Sequence, residues 1–221
     1  MNLAYYIFLL LIIFLLIIII KINEKLSPIK IKVYLFAVTI LFLFRYIGLF
    51  LLCIVQGGGF IYYFKSILYL NHLAIPLIVL ALSYVYLRWD KLGFRINYLI
   101  AAGLCIVYFI GMFFIKGRVL FDVKYGYIIN IKNEESLFLV SLFIVGGLLI
   151  FCIRFFDKPN NNRRGMCYLI IALTVVIIEN VLYLGGIRIF PYPIIGDGIF
   201  LILMNLCINN FQNSKVKSHT L

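Results

Sequence analysis

The chain has 221 residues, of which 65% are hydrophobic and 13% charged, and its mean hydropathy is +1.13. This excludes an ordinary water-soluble domain and places the chain in the membrane class. A net charge of +12 does not indicate nucleic acid here, because the cations sit in short loops between apolar runs, where they orient a membrane protein.

Seven runs reach the length needed to cross a bilayer core of about 30 Å, which takes roughly 20 helical residues. Leu3–Ile20 carries no charge; with no cation before it and no small-residue cleavage site after it, it reads as a retained first helix. Val33–Val55 follows, with Arg45 near its middle. Gln56-Gly57-Gly58-Gly59 lacks the lysine and hydroxyl of a phosphate loop and reads as a turn. Phe60–Leu87 is longer than a span requires and contains Lys65, Asn71, His72 and Pro76. Ile96–Ile115 leads into the one long connection, residues 116–135. Within it, Val119–Val123 and Tyr127–Ile131 flank Lys124-Tyr125-Gly126, a pattern that fits a hairpin and equally an irregular loop in the headgroup layer. Leu137–Ile153, the polar turn Asp157–Arg164 and Met166–Leu184, which carries Glu179 and Asn180, come next. The last span is Ile189–Asn210, with Pro191 and Pro193 ahead of its regular part and Asp197 within it; residues 211–221 form a short tail. Ala101, Ala102, Gly103, Gly111, Gly146, Gly147 and Ala172 suit close helix approach. The five cysteines (Cys53, Cys105, Cys152, Cys167 and Cys207) form no CxxC pair and read as small buried apolar residues.

With the N-terminus outside, thirteen of the twenty Lys and Arg fall in cytoplasmic connections and five outside, while Arg45 and Lys65 lie within spans. The positive-inside rule therefore predicts N-out and C-in.

A charge at bilayer depth costs about 2.5–3.5 kcal/mol on insertion scales, so such groups are read first as functional. Arg45 is too deep to snorkel and is predicted to face the bundle interior with a partner, Glu179 being the leading candidate. Both a functional and a purely structural pair fit. Lys65 either reaches the outer interface or joins the site. His72 reads as a hydrogen-bonded core residue ahead of a proton relay or a metal ligand. Pro76 is expected to kink its helix and free carbonyls for Asn71 or His72. Arg45, Asn71, His72, Glu179, Asn180 and Asp197 share a depth and a side, and are expected to line one ligand-binding cavity that opens outward. The nearly charge-free inner halves argue against a full transport path.

No catalytic residue, cofactor or metal site is predicted. The last span has no lysine for a retinal Schiff base, only Asp197 is an aspartate at helix depth, HExxH is absent, and His72 has only Cys53 or Cys105 as a conceivable nucleophile partner.

Three features give the second half a family likeness. Tyr125-Gly126-Tyr127 sits in the outer connection, the basic turn Asp157–Arg164 follows span five, and Leu184-Gly185-Gly186 precedes Pro191-Tyr192-Pro193. Over roughly Leu87 to Asn210 the chain resembles the seven-helix N-terminal sensor region of bacterial sensor histidine kinases. The resemblance implies detection of an extracytoplasmic or membrane-borne signal, passed through span seven to a cytoplasmic output domain. The chain departs from that pattern after Asn210, where FQNSKVKSHTL is too short for a kinase domain.

The expectation is an all-α polytopic seven-helix transmembrane bundle in a bacterial plasma membrane, with the lipid bilayer as its one certain partner. Its expected role is that of a receptor-like sensory module that binds a small ligand and signals through a separate partner protein, without nucleic acid. A small secondary transporter or proton-coupled carrier is the alternative, followed by an enzyme acting on a lipid-linked substrate.

Overall fold

A computed structural model describes residues 3–55, 59–88, 93–159 and 161–219. The fold is mostly helical. Helix α1 (Leu3–Leu26) turns at Ser27 and Pro28 into α2 (Ile29–Ile54). A 3-10 turn (Gly59–Phe64), the single-turn α3 (Lys65–Leu68) and α4 (Asn71–Leu87) follow. Next come α5 (Arg95–Phe114), an antiparallel hairpin of β1 (Gly117–Asp122) and β2 (Gly126–Ile131), α6 (Glu134–Arg154), α7 (Arg163–Leu184) and α8 (Ile195–His219).

Six stretches are long and apolar enough to cross a membrane: α1, α2, Ile61–Leu87, α5, α6 and α7. The seventh expected span is shorter, its apolar part running over Ile195–Phe211. It begins later than Ile189 because the approach through Pro191 and Pro193 is not helical, and the expected tail is helical through His219. Large apolar side chains on α1, α2, α5, α6 and α7 remain exposed, as contact with a lipid bilayer requires.

Burial explains the arrangement. On α1 only Tyr5, Leu9, Ile12, Leu16, Ile19 and Asn23 are buried, one residue every three or four, so the helix presents a single narrow stripe to α2 and α8. By contrast, α4 is buried on nearly every side and packs on α2, α5, α6, α7 and α8. A helix apolar all round can sit only in the middle. Helix α5 buries just Asn97, Tyr108 and Met112 and leans on α3 and α4, while α6 packs on α4 and α7.

The hairpin, predicted as one of two alternatives, is present with Val119 opposite Ile129 and Asp122 opposite Gly126. Its turn needs glycine: Gly126 has φ +83°, and a Cβ there would lie 2.7 Å from the Leu52 carbonyl oxygen. The hairpin thus rests on the C-terminal end of α2. We call this the hairpin end. The opposite end carries Lys25, Arg95, Arg154 and Arg163 at helix termini.

Three expectations need correction. The long third span breaks at Tyr69-Leu70, whereas Pro76 lies inside continuous α4. Gly103, Gly111, Gly146 and Gly147 meet nothing within 4 Å of a built Cβ, so they bring no helices together within this chain; Ala172 is buried. Cys167 is exposed, unlike the buried Cys53, Cys152 and Cys207. Residues 56–58 of the glycine turn, and Lys91 among the loop cations, lie outside the described residues.

Candidate functional site

The polar side chains gather at the hairpin end, but not in the predicted arrangement. Arg45 on α2 is completely buried, and its carboxylate partner is Asp197, in the first turn of α8, not Glu179. Tyr46, the next residue on α2, also donates its hydroxyl to Asp197 Oδ2 at 2.8 Å. Nη1 also donates to the Tyr46 hydroxyl at 3.4 Å, and the other two nitrogens donate to backbone. Nε donates to the Leu68 carbonyl and Nη2 to the Pro193 carbonyl, each at 2.8 Å.

Those two carbonyls explain why a charge is placed here. Leu68 ends α3, and the His72 N–H that would reach it in a continuous helix bonds instead to Tyr69 O at 3.1 Å. Pro193 precedes α8. Backbone that is not helical is tolerated at bilayer depth only where protein satisfies it. Arg45 does so for two breaks at once, with Asp197 balancing its charge. The Leu68 carbonyl freed at the break in the third span is therefore met by Arg45, while Pro76 lies further along, inside α4.

Glu179 has a different task. Ile194, at the α8 N-cap, has no capping side chain, and the N-terminal N–H groups of a helix need acceptors. Glu179 supplies them from α7: Oε1 accepts from Ile194 N–H at 2.9 Å and Ile195 N–H at 3.0 Å, and Oε2 from Gly196 N–H at 2.7 Å. Gly196 permits this approach, since a Cβ there would fall 2.5 Å from Val176 Cγ2 and 2.9 Å from Glu179 Oε2. Two carboxylates, Glu179 and Asp197, thus serve one helix N-terminus, where the dipole favours negative charge.

Asn71 and His72 start α4, and both are buried; Asn71 Oδ1 and His72 Nε2 have no hydrogen-bond partner. A buried polar atom left in this way costs about 1–3 kcal/mol. Asn180 is buried on α7. Two of the residues expected to share one cavity, Glu179 and His72, line separate cavities and not one. Glu179 lines an apolar groove of about 130 Å³ with Tyr183, Phe190 and Ile195, whereas His72 lines a cleft of about 260 Å³ between α4, α5 and α6. Arg45 and Asp197 are sealed away from solvent. Depth in the membrane follows from position along a span, but the direction a side chain faces does not, and that is where the shared-cavity expectation fails.

A second cluster escaped the sequence reading. Glu134, in the first turn of α6, accepts at Oε1 from the hydroxyls of Tyr69 (2.9 Å) and Tyr183 (2.8 Å), and at Oε2 from Arg188 at 3.2 Å. The Arg188 guanidinium lies 4.3 Å from the Tyr183 ring centroid. Tyr192 accepts the Ile129 N–H at 2.8 Å, and the Tyr69 hydroxyl is also 3.1 Å from Ile129 O. This cluster clasps the hairpin to α3, α6 and the α7–α8 loop. The signal available was the Glu134-Glu135 pair at the end of a basic loop, together with Tyr192 between two prolines. Lys65, whose position had two readings, donates to the Ile115 carbonyl at the end of α5.

The two clusters join through rings. Tyr69 stacks near His72 (6.1 Å), His72 meets Phe138 edge-on (4.8 Å), and Phe138 stacks on Tyr183 (4.4 Å). Among the described residues no group of three or more His, Cys, Asp or Glu could hold a metal ion. No protein-family model matches the chain, and no curated protein matches it either.

Proposed function

We propose that this chain is a receptor-like membrane module that responds to a small extracytoplasmic or membrane-borne ligand and signals through a separate partner protein. One observation carries the reading. At the hairpin end, two helix breaks and a hairpin are held together by side chains, through Arg45–Asp197 and through the Glu134 clasp, while elsewhere the helices are continuous. A buried ion pair adds little net stability over apolar packing. Its presence fits an element with two alternative packings, of the kind switches use. The cation count supports placing the hairpin end outside, with the N-terminus out and the C-terminus in. The likeness to sensor-kinase membrane regions supports the same role, with the response leaving through α8.

The test is a distance measurement on the full chain in vesicles. A spin label at Val123→Cys on the hairpin turn, 80% exposed, is paired with one on the native, exposed Cys167 near the other end of the bundle, in a Cys105→Ser background. The expected result is two distances whose proportions shift between phosphatidylcholine–phosphatidylglycerol vesicles and the same vesicles containing total bacterial lipid extract. A single distance in both preparations would overturn the sensory reading. Dissipation of an imposed pH gradient by these vesicles would favour the proton-coupled carrier instead.

A further inference from the structure

We infer that the groove between the hairpin and the α7–α8 loop is a binding site for a linear tripeptide with free termini and an apolar middle residue. This deepens the sensory reading by naming a ligand for it, although binding itself does not depend on signalling. The groove has a volume of about 420 Å³, within the roughly 300–1,000 Å³ usual for small-molecule sites. Its floor is one face of the hairpin. Successive strand residues point to opposite faces, so Leu120, Asp122, Ile128 and Asn130 share the face turned toward the groove, while Ile129 and Ile131 on the other face are buried. Arg188, Phe190 and Pro191 form the wall.

Charge sets the two ends of the ligand. Arg188 is exposed and gives one nitrogen, Nη2, to Glu134. A guanidinium has N–H donors on more than one edge, so a second carboxylate can be held beside the first. Arg188 stands at the Asn130 end, since Glu134 also accepts from Tyr69, whose hydroxyl lies 3.1 Å from Ile129 O. Arg118, also exposed, pairs with Asn130 across the ladder and adds a second cation there. At the opposite end, Asp122 uses Oδ1 to accept the Lys124 backbone N–H at 2.6 Å, and among the described residues it forms no ion pair. Its other oxygen is an acceptor for an ammonium group. Cations at one end and a carboxylate at the other match a zwitterion lying along the groove.

Length narrows the choice. Asp122 lies opposite Gly126, and the strand from Gly126 to Asn130, at about 3.3 Å per residue, puts about 13 Å between the two ends. An extended tripeptide spans about 10 Å and brings both termini within hydrogen-bonding reach, whereas a dipeptide at about 7 Å spans too little. A free α-amino acid carries both charges on one carbon, and a phosphatidylethanolamine headgroup separates them by an ethyl unit, so neither bridges the groove. Between the ends stand Leu120, Ile128 and Phe190, which favour an apolar side chain at the middle position. The Arg188–Glu134 contact is part of the clasp on the hairpin, so a carboxylate arriving at Arg188 acts on the element that the sensory reading requires to move.

The experiment measures binding of tritiated trileucine to the full chain in detergent by equilibrium dialysis, with N-acetyl-trileucine, trileucine amide and dileucine as competitors. Binding is expected to saturate, and each competitor to be about three- to tenfold weaker than unlabelled trileucine, the effect of one charged hydrogen bond at a partly exposed site. Asp122→Asn keeps the Oδ1 acceptor of the turn and removes only the charge. It should weaken trileucine by about the same factor and abolish the preference over N-acetyl-trileucine, while the preference over the amide remains. Arg188→Gln should do the converse. Uptake that does not saturate, blocked peptides that compete as well as trileucine, or a preference for the free amine that survives Asp122→Asn overturns the site. Saturable trileucine binding with a Val123–Cys167 distance that answers neither trileucine nor lipid extract upholds the site and refutes the sensory reading. No trileucine binding, with a distance that still responds to lipid extract, does the reverse.

Discussion

Replacing Asp197 by leucine would leave the Arg45 guanidinium fully buried, bonded only to neutral oxygens and with no carboxylate to balance it. Breaking a buried pair in this way costs about 3–5 kcal/mol. Arg45→Met should cost more. It strands the Asp197 carboxylate and also orphans the Leu68 and Pro193 carbonyls, at about 1–3 kcal/mol each. The total, roughly 5–11 kcal/mol, is comparable with the whole stability of an ordinary domain. The double variant removes both charges and leaves the two carbonyls and the Tyr46 hydroxyl short of a partner, a loss of about 3–9 kcal/mol. Asp197→Leu should therefore destabilise the parent and stabilise the Arg45→Met protein. Equilibrium unfolding in mixed micelles with increasing dodecyl sulfate, followed by circular dichroism, measures all four corners of the cycle. An Asp197→Leu penalty of the same sign and size in both backgrounds would mean independent residues, and the keystone role of Arg45 would be wrong.

Two further outcomes test the neighbouring contacts. Gly196→Ala should cost about 1–3 kcal/mol by overpacking against Val176 and Glu179, whereas Gly198→Ala, with its nearest neighbour 3.6 Å away, should be neutral or stabilising by up to about 1 kcal/mol; equal effects in the same unfolding assay would contradict the close approach at the α8 N-terminus. Tyr192→Phe leaves the buried Ile129 N–H without an acceptor, at about 1–3 kcal/mol, so hydrogen exchange at Ile129 should quicken by about tenfold or more while exchange in the middle of α4 stays as it was; unchanged exchange at Ile129 would show that Tyr192 does not hold the hairpin.

The helices were legible because hydropathy depends on run length, which the sequence displays directly. Long apolar stretches such as Leu3–Ile20 and Met166–Leu184 leave little choice. The break at Tyr69-Leu70 was not legible, since neither residue is a breaker, and the group that makes it tolerable is Arg45, 23 positions before the Leu68 carbonyl it binds. Pro76 gave the opposite signal and misplaced the irregularity. For the polar residues, sequence position conveyed depth but not rotation about the helix axis. Arg45, Glu179 and Asp197 were rightly gathered at one end, yet Glu179 faces the α8 N-terminus and Asp197 takes the guanidinium. The Glu134 clasp was overlooked because a carboxylate at the end of a loop reads as solvated, and only the folded chain brings Tyr69, Tyr183 and Arg188 to it.

The wide separation of Arg45 and Asp197 along the chain bears on biogenesis. The carboxylate is synthesised 152 residues after the guanidinium it neutralises, roughly 8–30 s later at ordinary elongation rates. Throughout that interval α2 carries a cation with no counter-charge from α8. A nascent chain halted before Gly196 would thus hold its arginine without the carboxylate that neutralises it in the fold.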